Sequence, residues 1–101
     1  MKMLLTVEFP LEPFNSLVRN GKVGEILGRI LETLKPETAY FTEQDGKRGG
    51  MFVVNVQNPS DVAIFAEPFF LKLNASCKFR ILMSPEDLQK ASLGDIGKKW
   101  A

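Results

Sequence analysis

Six side chains in this sequence carry usable chemistry at spacings that a sheet can gather: Thr6, Glu8, Tyr40, Asn55, Lys78 and Arg80. A carboxylate can take up a proton, a phenol can return one, and a guanidinium or ammonium can hold an anionic group meanwhile. Proton transfer beside a carbonyl, as in a cofactor-free isomerase, needs only those parts. Glu8 is then the base, Tyr40 the acid and Arg80 the anion holder, with Thr6, Asn55 and Lys78 as ligand-binding neighbours. A plainer arrangement uses the same residues: Glu8 and Lys78 as a cross-strand ion pair, and Tyr40 packed in an interface. Residue types alone leave enzyme and binder both open.

The composition removes larger classes. None of the 101 residues is histidine, so His-ligated haem, His-containing zinc sites and Ser-His or Cys-His nucleophile pairs are excluded. The single cysteine, Cys77, permits no intrachain disulfide or multi-cysteine metal site and fits a reducing cytoplasm. No cofactor is implied. The net charge of +1, from 13 basic and 12 acidic residues, argues against a protein whose main task is gripping phosphate backbones. Glu8 and Pro10 interrupt the first apolar run, which is too short for a signal peptide. No stretch approaches the ~20 apolar residues of a membrane span.

The elements that must position the six residues follow from periodicity. Lys2 to Phe9 alternates as a first strand, with Met3, Leu5, Val7 and Phe9 on one side. After a short apolar patch at Phe14, Leu17 and Val18, a break near Gly21 leads to an amphipathic helix from Lys22 to Leu34, stopped before Pro36. Gly24 and Gly28, one turn apart, predict close approach of that helix to a sheet. Thr38 to Glu43 and Met51 to Gln57 form a hairpin across a turn at Asp45-Gly46. Asn58 is the expected cap of a second helix with Pro59 in first position, reaching Glu67 before Pro68 kinks or restarts it. Ser76 to Met83 is the fourth strand, and Ser84-Pro85-Glu86-Asp87 opens a short helix that Gly94 can end. Residues 95–101 read as an arm. The whole is one domain, 1–101.

This order, βαββαβ, predicts an α+β fold of ferredoxin-like type, with a four-stranded antiparallel sheet of order 4-1-3-2 and both helices on one face. A two-residue turn sets Tyr40 opposite Met51 and Ala39 opposite Phe52. One face then collects Leu5, Val7, Phe9, Ala39, Phe41, Phe52, Val54, Val56, Cys77, Phe79 and Ile81 as the core. The other, with Leu4, Met51, Val53, Leu82 and Tyr40, is too apolar to stay wet on a monomer. Two copies packing their sheets face to face, a homodimeric α+β barrel, would cover it. The expected polar cluster beside that interface brings Glu8 near Lys78 and Thr6 near Arg80. Taking strand three as parallel to strand one puts Asn55 at the Glu8 end too.

The runs Leu34-Lys35-Pro36-Glu37-Thr38-Ala39-Tyr40-Phe41, Gly46-Lys47-Arg48, Asn58-Pro59-Ser60-Asp61, Ala66-Glu67-Pro68-Phe69-Phe70, Leu73-Asn74-Ala75 and Met83-Ser84-Pro85-Glu86-Asp87-Leu88 resemble, over most of the chain, a family of small uncharacterised bacterial proteins. The resemblance implies the dimeric α+β-barrel superfamily, which includes muconolactone-isomerase-like enzymes, antibiotic-biosynthesis monooxygenases and haem-degrading proteins. It carries over no catalytic residue, and the likeness to muconolactone isomerase is one of element order. Members that depend on histidine cannot lend their chemistry here.

The expectation is therefore a small cytoplasmic homodimer that binds a small organic ligand, anionic where Lys78 or Arg80 holds it, in a cleft beside the intersheet surface. The isomerase is the alternative. An RNA-recognition module shares the element order, and Arg48-Gly49-Gly50-Met51-Phe52-Val53 partly matches its third-strand motif. Gly50 and Asn55 occupy two of its aromatic positions, however, and make nucleic acid an unlikely partner. Cys77 falls on the core side as a buried thiol, Lys47 and Arg48 read as a solvated hairpin tip, and Trp100 in the arm could clasp a neighbouring copy.

Overall fold

The computed structural model describes residues 1–101. Strand β1 (Lys2–Phe9) is followed by a short helix α1 (Phe14–Arg19), helix α2 (Val23–Leu34), strands β2 (Thr38–Gln44) and β3 (Lys47–Asn55), helix α3 (Ser60–Leu73), strand β4 (Ser76–Ile81) and two small helices, α4 (Pro85–Lys90) and α5 (Leu93–Trp100). The four strands form one antiparallel sheet of order β2-β3-β1-β4, which reads 4-1-3-2 from the opposite edge. Asp45 and Gly46, at φ 51° and 78°, make the two-residue hairpin turn with both central residues in the left-handed region. Gln44 pairs with Lys47, and Tyr40 lies opposite Met51 as expected.

The alternation of β1 is realised residue by residue: Met3, Leu5, Val7 and Phe9 are buried, while Leu4, Thr6 and Glu8 are half-buried on the other side. Helices α2 and α3 cover the first set, contributing Ile30, Leu34, Phe65, Phe69 and Leu73 to the core. At its centre the Phe9 ring lies 5.1 Å from Phe14 and 6.1 Å from Phe69, and Phe69 lies 5.7 Å from Phe52. Phe52 is wholly buried because Gly50 leaves room for it: a Cβ at Gly50 would stand 2.8 Å from the Phe52 ring. The one aromatic of the third-strand motif thus serves the core.

Several local expectations are corrected. Gly24 and Gly28 have nothing within 4 Å of where a side chain would begin, so they bring no backbone close; α2 stands off the sheet on its larger residues. Helix α3 runs through Pro68 to Leu73 rather than breaking there, and ends at Asn74 in the left-handed conformation. Its packing through Phe65, Phe69 and Leu73 outweighs the one hydrogen bond that a proline removes. Asn58 does not cap α3 with its side chain. Instead Asp61 Oδ2 accepts from the backbone N–H groups of Gln57 and Asn58, at 2.9 and 3.1 Å. Arg48 is no solvated tip: its guanidinium lies 4.6 Å above the Phe14 ring and donates to Asn15 Oδ1 at 2.7 Å, tying β3 to α1.

The expected core face also overreaches at its edges. Ala39 and Phe41 on β2, and Ile81 at the end of β4, are exposed, because the helices cover the central strands. Beyond Ile81 nothing is buried. The expected short helix is α4, which ends at Lys90 ahead of Gly94, and the expected arm, residues 95–101, is largely helical as part of α5. Helices α4 and α5 join at Ser92 into one longer arm, and the molecule measures 60 Å along its longest axis against 28 and 19 Å across. Helix α4 starts with a capping box, Ser84 Oγ accepting from the Asp87 N–H and Asp87 Oδ2 from the Ser84 N–H. No helix is long and apolar enough to cross a membrane.

Candidate functional site

Pairing register turns the free face of the sheet into three cross-strand rows, each running β4-β1-β3-β2. The first is Ser76, Glu8, Gly49 and Thr42; the second Lys78, Thr6, Met51 and Tyr40; the third Arg80, Leu4, Val53 and Thr38. Rows lie about 6.7 Å apart and neighbours within a row about 4.8 Å. Thr6 and Lys78 are therefore direct neighbours, with Glu8 one row on and Tyr40 two strands away.

Two expectations fail on this grid. Glu8 faces Ser76 rather than Lys78, and Thr6 faces Lys78 rather than Arg80, because β1 and β4 pair two residues out of the expected register. Strand β3 is antiparallel to β1, so Asn55 pairs with Lys2 at the far end of the sheet from Glu8. A crossover helix makes β2 run with β1, and the hairpin must then turn β3 against both. Asn55 Oδ1 there accepts from the Met1 amino group at 3.2 Å. Arg80 stands two rows from Glu8, about 14 Å away by strand geometry, and Tyr40 about 12 Å. Glu8, Tyr40 and Arg80 thus stand in three separate rows of one protomer, too far apart to touch a single small reactant together.

What the fold does gather is a polar nook of about 90 Å³ at the Glu8 end, lined by Thr6, Glu8, Gln44, Asp45, Ser76 and Lys78. No apolar side chain lines it. Gln44 and Asp45 belong to the hairpin tip, which curls across the free face to meet β4. Gly49 permits the curl, since a Cβ there would fall 2.9 Å from Gln44 Cβ. The Glu8 carboxylate finds its cation in Lys47, at 4.0 Å, rather than in Lys78. Lys78 is left without an acidic partner. Lys47 and Lys78 thus stand at the nook against two carboxylates, Glu8 and Asp45, and Arg80 lies one row beyond Lys78 on β4.

Of the site residues named from the sequence, Thr6, Glu8 and Lys78 line the nook; Ser76, Gln44 and Asp45, which also line it, and Lys47, which pairs with Glu8, were not among them. Ser76 and Lys47 were within reach, because each shares the parity of a residue already assigned to this face. Gln44 and Asp45 were not, since the curl of a hairpin tip leaves no periodic trace. Beside the nook lies the apolar part of the face: Leu4 and Val53 half-buried, Met51 39% exposed and Tyr40 67% exposed. Cys77 points to the core side, and burial pushes its thiol up to about 11, which leaves it a poor nucleophile. No three of the acidic and thiol side chains converge as metal ligands would.

Compared with known proteins, the chain matches no family model and no curated protein.

Proposed function

We propose that the chain is a ferredoxin-like, distantly muconolactone-isomerase-like domain of the dimeric α+β-barrel superfamily, and that it binds a small organic acid beside its free sheet face. In this reading two copies pair through those faces in the cytoplasm, and each nook becomes part of an enclosed cleft. The observation that carries the reading is the all-polar nook, with its unpartnered Lys78, set directly beside apolar Leu4, Met51 and Val53.

Size supports the need for a second copy. A nook of about 90 Å³ holds only about three waters, whereas sites for larger ligands run to about 300–1,000 Å³. Pairing of the apolar rows would wall it in and remove a greasy surface from water. Charge supports the ligand class: Lys47 offsets Glu8, so Lys78 and Arg80 are the groups free to meet a carboxylate. Thr6, Ser76 and Gln44 offer hydroxyl and amide partners for the rest of the molecule.

Native mass spectrometry of the protein as purified, followed by thermal-shift titration with small mono- and dicarboxylic acids, tests the reading. A dimer whose midpoint rises with one such acid, and no longer rises in Lys78→Glu, is the expected result. Absence of any co-purified molecule together with no shift across the acids would overturn it. Turnover of the bound acid that is lost in Glu8→Gln would extend the binder to a proton-transfer enzyme.

A further inference from the structure

The arm raises a physical problem. Helix α5 is eight residues long and buries none of them, yet isolated helices shorter than about 12–15 residues are marginal in water. Its apolar residues, Leu93, Ile96 and Trp100, fall at i, i+3 and i+7, one stripe of a helix that expects a surface. Trp100, the only tryptophan in the chain, is 76% exposed at the tip.

A matching surface lies on the helix layer. Between α2 and α3 runs a groove of about 350 Å³, walled by Ile26, Ile64, Pro68 and Leu71 and rimmed by Arg29, Lys72 and Glu67. Leu71 is 79% exposed and Ile64 51%, which is costly for residues in mid-helix unless something covers them. Pro68 has no N–H, so the Ile64 carbonyl has no donor four residues on. The groove thus combines apolar walls, a backbone acceptor, two cations and one carboxylate, Glu67. An indole combines a flat apolar body, one N–H donor and a face that attracts cations.

We propose that Trp100 of each chain docks in the α2/α3 groove of a second copy, in a reciprocal exchange of arms. No residue of the arm lines the groove of its own chain, and none is buried. Reach allows the exchange: packed sheets and layers lie about 10 Å apart, so a partner's helix layer is roughly 20 Å beyond the free face. The two arm helices with their joint span roughly 25–30 Å at 1.5 Å per helical residue. Area allows it too. A tryptophan buries roughly 150–250 Å², and with Leu93, Ile96 and the covered groove, counted twice, the exchange reaches the order of 1,000 Å² that a specific interface needs.

This rests on the two-copy assembly proposed above but on a different contact, and the lone tryptophan reports it directly. Emission from Trp100 is expected to shift to the blue as protein concentration rises through the dimerisation range. Leu71→Glu, an exposed position whose change leaves the core intact, should keep the emission red. Mixing Leu71→Glu with Trp100→Phe, which supplies an intact groove and no tryptophan, should restore the blue shift between chains. Red emission from a chain that sediments as a dimer would overturn the exchange while sparing the sheet-face pairing. A blue shift in the dilute monomer, or one that Leu71→Glu does not alter, would overturn it as well. In Met51→Lys, which disrupts the sheet-face pairing that the reach assumes, loss of the concentration-dependent shift is expected, and a retained shift would overturn the exchange in this geometry.

Discussion

Glu8 is paired with Lys47, Oε2 to Nζ 4.0 Å, on the same face of the sheet, and Lys78 across the strand is left to Thr6. The site's charge balance follows from this choice of partner.

Lys47 and Lys78 should therefore behave differently. The Glu8–Lys47 pair is half-exposed and contributes less than about 1 kcal/mol, so Lys47→Ala should barely move the urea midpoint. Lys78→Ala should leave stability within about 0.5 kcal/mol. It should weaken binding of a small carboxylate about tenfold or more, the value of one charge-assisted hydrogen bond. Titration calorimetry on both variants separates the two lysines.

Gly49 holds the hairpin tip over the nook. A methyl group there meets Gln44 Cβ at 2.9 Å and the Val7 carbonyl at 3.2 Å, and only the tip can yield. Gly49→Ala should cost about 1–3 kcal/mol in urea unfolding, as overpacking does, and should weaken ligand binding as Gln44 and Asp45 move off. Full stability in the variant would show that the close approach is not maintained.

Pro68 sits inside α3 at the expense of a backbone hydrogen bond. Pro68→Ala restores the donor to the Ile64 carbonyl and should raise stability by about 1–3 kcal/mol. The same change fills the acceptor in the groove, so the concentration-dependent shift of Trp100 emission should weaken while the fold gains.

Cys77 should resist thiol reagents at pH 7 to 8 in the folded protein and react at once on unfolding. Its thiol is raised from 9.0 to about 11 by burial. The folded state thus keeps the proton that the unfolded state gives up, and the associated stability is fully present below pH 9 and lost as pH rises toward 11. Disulfide-exchange labelling across that window measures the effect.

Periodicity read the strands and helices well because burying one face of a sheet is a local, period-two demand: Leu5, Val7, Phe52 and Val54 could face nowhere else. The hairpin turn was equally legible, since Asp45-Gly46 adopts positive φ at little cost. Helix α3 was read too short, because Pro68 marks a local penalty while the packing that offsets it is distant in sequence.

The site was decided elsewhere. Alternation determines which face a side chain takes, but a slip of two residues between β1 and β4 keeps every side chain on its face, so periodicity could not choose between Lys78 and Ser76 as the neighbour of Glu8. That choice, the run of β3 against β1 that carried Asn55 to the far end, and the curl that set Gln44 and Asp45 in the wall of the nook all belong to tertiary structure. Each depends on how strands dock across the sheet, an energy summed over many non-local contacts rather than written in any one segment.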